Sequence, residues 1–133
     1  MVKLWRIVYY WLPPLIWMVI IFYLSSQTRV EVTGKFFWDF LFFKSLHMIE
    51  YAALYFLLFR AFFSLSNKNL ANNFKYTLPA MLAILYAFSD EIHQTYVPTR
   101  GGKISDVFID TTGILIMYIY IKHNINLVRK IIK

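Results

Sequence analysis

Four long apolar stretches run through this chain: Ile7 to Leu24, Ser45 to Phe63, Tyr76 to Phe88 continuing toward Tyr96, and Ile104 to Ile121. A helix rises about 1.5 Å per residue, so about 17–25 residues cross a bilayer. Each stretch is long enough to do so. Of the 133 residues, 59% are hydrophobic and 16% charged, and one small soluble core cannot hide that much apolar surface. The pattern predicts a single domain over 1–133, an all-α bundle of four transmembrane helices at about 5–25, 44–64, 76–96 and 104–122. Trp5, Trp11, Pro13 and Pro14 interrupt the first stretch and no small-residue cleavage pattern follows Leu24, which argues against a removable leader. The two prolines are expected to kink that helix near its inner end. Between the stretches lie a polar segment from Ser25 to about Phe43, a linker from Ser64 to Lys75, a turn from Val97 to Lys103, and a basic tail from Lys122 to Lys133. The chain has no cysteine, which excludes disulfides, thiolate zinc sites and cysteine nucleophiles. Its Trp and Tyr residues read mostly as interfacial belts.

Charge placement sets the expected orientation, because Lys and Arg accumulate in short cytoplasmic loops. With the N-terminus, the 64–75 linker and the C-terminal tail on one side, that half carries Lys3, Arg6, Arg60, Lys68, Lys75, Lys122, Arg129, Lys130 and Lys133, nine cations and no carboxylate. The other half carries Arg29, Lys35, Lys44, Arg100 and Lys103 against Glu31, Asp39, Glu50, Asp90, Glu91, Asp106 and Asp110. Five against seven leaves minus two, and nine minus two recovers the formal net charge of +7. Both termini are therefore expected to be cytoplasmic, with the carboxylates toward the outside. The basic surplus reads as membrane topology and contact with anionic lipid, not as nucleic-acid binding.

Several polar groups fall inside the apolar stretches, where ionisable residues are costly and usually face a bundle interior or a wet cavity. On the second helix Lys44, His47 and Glu50 recur at i, i+3 and i+6, which takes Glu50 roughly 9 Å down from Lys44. On the fourth, Asp106 and Asp110 share a face, with Gly113 three residues on. Asp90, His93 and Gln94 mark one face of the third helix, with Glu91 beside it, and Ser25-Ser26-Gln27 closes the first. Four helices thus bring polar groups to one depth on one side. A shared cavity is expected there, with Lys44, His47 and Glu50 facing Asp90, His93, Asp106 and Asp110.

These residues resemble those of the VanZ-like membrane proteins. The resemblance rests on Ser25-Ser26-Gln27, on Lys44-Ser45-Leu46-His47 with Glu50-Tyr51 and Leu54, on Asp90-Glu91-Ile92-His93-Gln94, on Arg100-Gly101-Gly102, and on Asp106, Asp110 and Gly113. It spans residues 25 to 113 and implies an integral membrane protein of the bacterial envelope, whose namesake is linked to reduced susceptibility to the glycopeptide teicoplanin. It implies no settled reaction or ligand.

Three functions fit. In the first, an outward-facing cavity formed by Ser26, Gln27, Lys44, His47, Glu50, Asp90, Glu91, His93, Gln94, Arg100, Asp106 and Asp110 binds the head group of an amphiphile. That amphiphile is a phosphate-bearing envelope lipid, a lipid-linked cell-wall intermediate or a lipid-tailed antibiotic. Arg100 can grip a phosphate with two hydrogen bonds, Gly101 and Gly102 let backbone N–H groups approach it, and a helix starting at Ser105 attracts anions. As a residue of a surface turn, Arg100 is expected to contribute little to bundle stability. In the second, the chain is an enzyme with His47 or His93 as acid or base, oriented by Glu50 or Asp110, acting on a phosphate or ester. In the third, the polar groups only hold helices together, as they do in many bilayer proteins. No cofactor is expected. A metal set of His47, Glu50, His93 and Asp106 is chemically conceivable, but no His-Glu-x-x-His spacing supports it, and Gly-x-Ser-x-Gly is absent.

Overall fold

A computed structural model describes residues 2–29, 31–65 and 73–132. Its order is α1 (Val2–Ser25), α2 (Phe36–Leu65), α3 (Phe74–Gln94), α4 (Ile104–His123) and α5 (Ile125–Ile131), with no strand among the described residues. Three segments are long and apolar enough to cross a membrane: Leu4–Ser25, Phe36–Ser64 and Ile104–His123. The third helix is not among them, and it carries Lys75, Asp90 and Glu91.

α2 is the centre of the bundle. It packs against α1, α3 and α4, and its interface with α4 is the most extensive in the molecule. The cause is legible along its inner face. Tyr51, Leu54, Tyr55, Leu58 and Phe59 recur at i, i+3, i+4, i+7 and i+8, one stripe of a helix, and all are buried. Ile21, Ala83, Ala87, Ile114 and Ile121 from the other helices close on that stripe. Gly113 sets the distance between α2 and α4, because a Cβ there would overlap the Met48 carbonyl. Large apolar side chains such as Val19, Leu85 and Phe108 point outward, the side on which a lipid-embedded bundle places them.

α1 is one continuous helix through Pro13 and Pro14, with Pro14 fully buried. Local structure departs from the sequence expectation in three places. α2 starts at Phe36, more than two turns before residue 44, so the second half of the segment read as polar is helix. The reason is Asp39: its carboxylate accepts from the Thr33 backbone N–H at 2.7 Å, the Thr33 hydroxyl at 2.7 Å and the Val32 N–H at 3.3 Å, so the charge folds back on the preceding turn. That turn is made by Gly34 at φ +68°. The N-cap of α4 is Lys103, not Ser105, and no side chain caps it. Finally, the basic tail forms α5, which buries Val128 while Arg129 and Lys130 stay exposed. The Lys68 part of the linker, residues 66–72, lies outside the described residues, as do the side chain of Lys3 and Lys133.

Candidate functional site

The end of α1, the start of α2, the end of α3 and the start of α4 meet at one end of the bundle, with Ser26, Gln27 and Arg100 on the segments that leave or join them. Lys44 on α2 reaches Asp106 on α4, Nζ to Oδ2 at 2.5 Å, with only 12% and 15% of the two side chains exposed. One turn further in, His47 places Nδ1 3.6 Å from Asp110 Oδ1 and 4.0 Å from Glu50 Oε2. The Glu50 backbone carbonyl accepts from Trp17 Nε1 at 2.9 Å, which registers α1 against α2 at this depth.

α3 enters the cluster through Asp90 and Glu91. Asp90 Oδ2 accepts from the Ser25 hydroxyl at 2.8 Å and from Gln94 Nε2 at 2.9 Å. Glu91 Oε2 accepts from the Lys103 backbone N–H at 3.1 Å, so a carboxylate sits at the N-terminus of α4, where the helix dipole favours it. Gly102 permits this: a Cβ there would overlap the Glu91 carbonyl. Asp90, Glu91, Gln94 and Asp110 are all buried. His47, Asp90 and Glu91 each offer one ligand atom within 4.8 Å of the others'.

Two cavities open beside this cluster. The larger, about 330 Å³, has His47, Gln94 and Asp106 in its wall together with Lys44, Arg29 and Arg100, and its apolar side is Phe36, Phe40 and Phe43. The smaller, about 210 Å³, lies between Ser25, Gln27, Phe43, His47, Glu50 and Arg100. His47 and Arg100 line both.

Two residues behave differently from the sequence expectation. His93 lines neither cavity: its Nε2 lies 3.0 Å from the Ser26 hydroxyl and its ring rests 4.4 Å from that of Phe22. The metal set containing His93 and Asp106 is therefore not the one the fold assembles. Arg100 is a structural tie as well as a cavity residue. Its Nε donates to the Gln27 carbonyl at 2.9 Å and its Nη2 to the Leu24 carbonyl at 3.0 Å, which ties it to the end of α1 and the chain just beyond. Burial, with repulsion from Arg29, lowers the Arg100 pKa, but a guanidinium stays charged throughout the physiological range. Ser26 and Gln27 bond mainly within α1, to the Phe22 carbonyl at 2.7 Å and the Tyr23 carbonyl at 3.3 Å.

Sequence reasoning passed over Ser25 as a ligand to Asp90, the Phe36–Phe43 wall, Arg29 and Tyr51. Tyr51 had a signal. It lies four residues after His47 on the same face, is fully buried, and stands beside Asp90, although its hydroxyl makes no hydrogen bond of standard geometry. Chemically, the site pairs a cationic, aromatic-walled mouth able to hold an anion with a buried imidazole–carboxylate floor able to hold a proton or a cation. A family model described as VanZ/LLP1 matches residues 10–127 of the chain. No curated protein and no solved structure matches it.

Proposed function

The chain belongs to the VanZ/LLP1 family, and from that premise we propose a membrane protein of the bacterial envelope whose larger cavity binds the anionic head group of an amphiphile. The observation that carries this reading is the lining of that cavity. Arg29, Lys44 and Arg100 share its wall with Phe36, Phe40 and Phe43, and Lys44 Nζ lies 5.9 Å from the centre of the Phe40 ring, so charge and apolar surface meet as they do in a phosphate-bearing lipid or a lipid-tailed glycopeptide. In this reading α3 makes a fourth crossing, both termini are cytoplasmic, the cavity opens outward, and expression lowers susceptibility to teicoplanin. Arg29 is exposed and its backbone N–H bonds the Thr99 hydroxyl, so its side chain can be changed with little effect on packing. The test is binding of an anionic phospholipid and of teicoplanin to purified protein in neutral-lipid nanodiscs. Arg29→Glu should weaken binding roughly ten-fold, the scale of one charge-assisted hydrogen bond. Failure of the wild type to bind either amphiphile defeats the reading.

A second reading has its own observation. His47 lines both cavities and its Nδ1 faces two carboxylates, an arrangement suited to acid–base chemistry on a lipid-linked phosphate or ester. Product formation from such a lipid, lost in His47→Gln, would favour it over binding alone.

A further inference from the structure

We propose that His47, Asp90 and Glu91 form a binding site for one divalent transition-metal ion of the Zn²⁺ or Mn²⁺ class. The inference is independent of the head-group reading, since neither needs the other.

One nitrogen of His47 and one oxygen each of Asp90 and Glu91 lie mutually within 4.8 Å, all on buried residues. Donors bound tetrahedrally to one ion at about 2.1 Å stand about 3.4 Å apart, so the three atoms must draw together by at most about 1.4 Å in separation, which side-chain rotation can supply. The adjacent turns of α2 and α3 that carry the three ligands are already fixed by packing around Tyr51 and Ala87.

A second observation points to a ligand. His47 Nδ1 and Asp110 Oδ2 are buried and make no hydrogen bond, on residues only 7% and 1% exposed, and Asp90 Oδ1 has only the Tyr51 hydroxyl beside it, outside standard geometry. Buried polar atoms are nearly always partnered, so an unpartnered imidazole nitrogen inside the three-residue set needs an account. Meanwhile the remaining oxygens are held in place: Ser25 and Gln94 engage Asp90 Oδ2, and the Lys103 N–H engages Glu91 Oε2. Outer partners of this kind orient metal ligands, and they leave Asp90 Oδ1 open while Glu91 Oε1 takes only a long 3.4 Å bond from Gln94.

Charge gives the third argument. Lys44 is paired with Asp106, and the Arg100 guanidinium, which acts on Glu50, Asp90 and Glu91, is a single charge against several carboxylates. The donors that touch Asp90 and Glu91 directly are neutral. Glu50, Asp90, Glu91 and Asp110 thus crowd into one largely buried cluster with too little positive charge, and such carboxylates need either protons or a cation. An imidazole nitrogen among carboxylate oxygens selects a transition ion over Mg²⁺ or Ca²⁺, which prefer oxygen alone. His47 lines both cavities, which gives an ion a route inward.

The experiment is elemental analysis of the full chain purified in detergent, followed by chelator stripping and thermal-shift titration with Zn²⁺, Mn²⁺ and Mg²⁺. Expected are one ion per chain, a melting temperature raised by Zn²⁺ or Mn²⁺ but not Mg²⁺, and at least a roughly ten-fold weaker affinity in Asp90→Asn and in Glu91→Gln. His123→Ala, which alters an exposed histidine elsewhere on α4, should change nothing. The stripped wild type loaded with Co²⁺ should show d–d absorption of a mixed N/O site, a readout that stands even where the variants do not fold. No bound ion and no thermal shift in the wild type overturns the proposal, as does unchanged affinity in both carboxylate variants or an equal response to Mg²⁺.

Discussion

The side chain of Arg100 and the backbone of Leu24, far apart in sequence, are joined by a hydrogen bond of 3.0 Å from Nη2 to the carbonyl at the end of α1. With the second bond to Gln27, it anchors the α3–α4 turn to the first helix. Arg100→Ala should therefore lower stability. A hydrogen bond involving a charged group contributes about 1.5–3 kcal/mol when well buried, and the partial exposure of Arg100 reduces the expected loss to about 1–2 kcal/mol. Thermal melting in detergent checks this, and an unchanged melting temperature would refute the tie.

Lys44 and Asp106 should behave as a coupled pair. Lys44→Met strands a mostly buried carboxylate and should cost about 3 kcal/mol, the low end for a broken buried ion pair. The double variant Lys44→Met with Asp106→Leu should recover much of that loss. A double-mutant cycle showing simple additivity would mean the pair does not couple α2 to α4.

Gly113→Ala tests the closest helix approach. The added methyl group meets the Met48 carbonyl, so α2 and α4 must separate, at a cost of about 3 kcal/mol. Because His47 and Asp110 bridge the same two helices, this variant should also lose whatever the cluster binds. A melting temperature equal to wild type would show that the interface is looser than described.

Topology is open to reporter fusions. With nine cations and no carboxylate on one half of the chain, fusions at Lys35 and Asn69 should report opposite sides, Asn69 cytoplasmic. A cytoplasmic Lys35 would reverse the proposed orientation.

What the sequence revealed followed from periodicity. The i, i+3 and i, i+4 spacings place Lys44, His47, Glu50, Asp106 and Asp110 correctly on facing helices, and the fold pairs them. Spacing fixes a face, but not what a side chain does once there. Thus His93 shares a face with Asp90 yet turns to Ser26 and Phe22. Arg100 carries a phosphate-gripping fork that the fold uses on carbonyls, because the end of α1 and the chain just beyond lie within its reach. The early start of α2 was hidden by Asp39, whose charge argues for a loop until the Thr33 turn absorbs it. The brevity of α5 concealed it within a run of basic residues that reads as tail.

The stripe of Tyr51, Leu54, Tyr55, Leu58 and Phe59 lies wholly to one side of the His47 level, and this makes the bundle mechanically uneven. At the aromatic end, separating the helices breaks close packing that acyl chains refill only loosely. At the carboxylate end, incoming water can replace each lost hydrogen bond with one of its own. Thermal breathing should accordingly start at that end and stop at the stripe. The helices act as the jaws of tweezers, sprung from the aromatic end, with the imidazole and carboxylates at their tips.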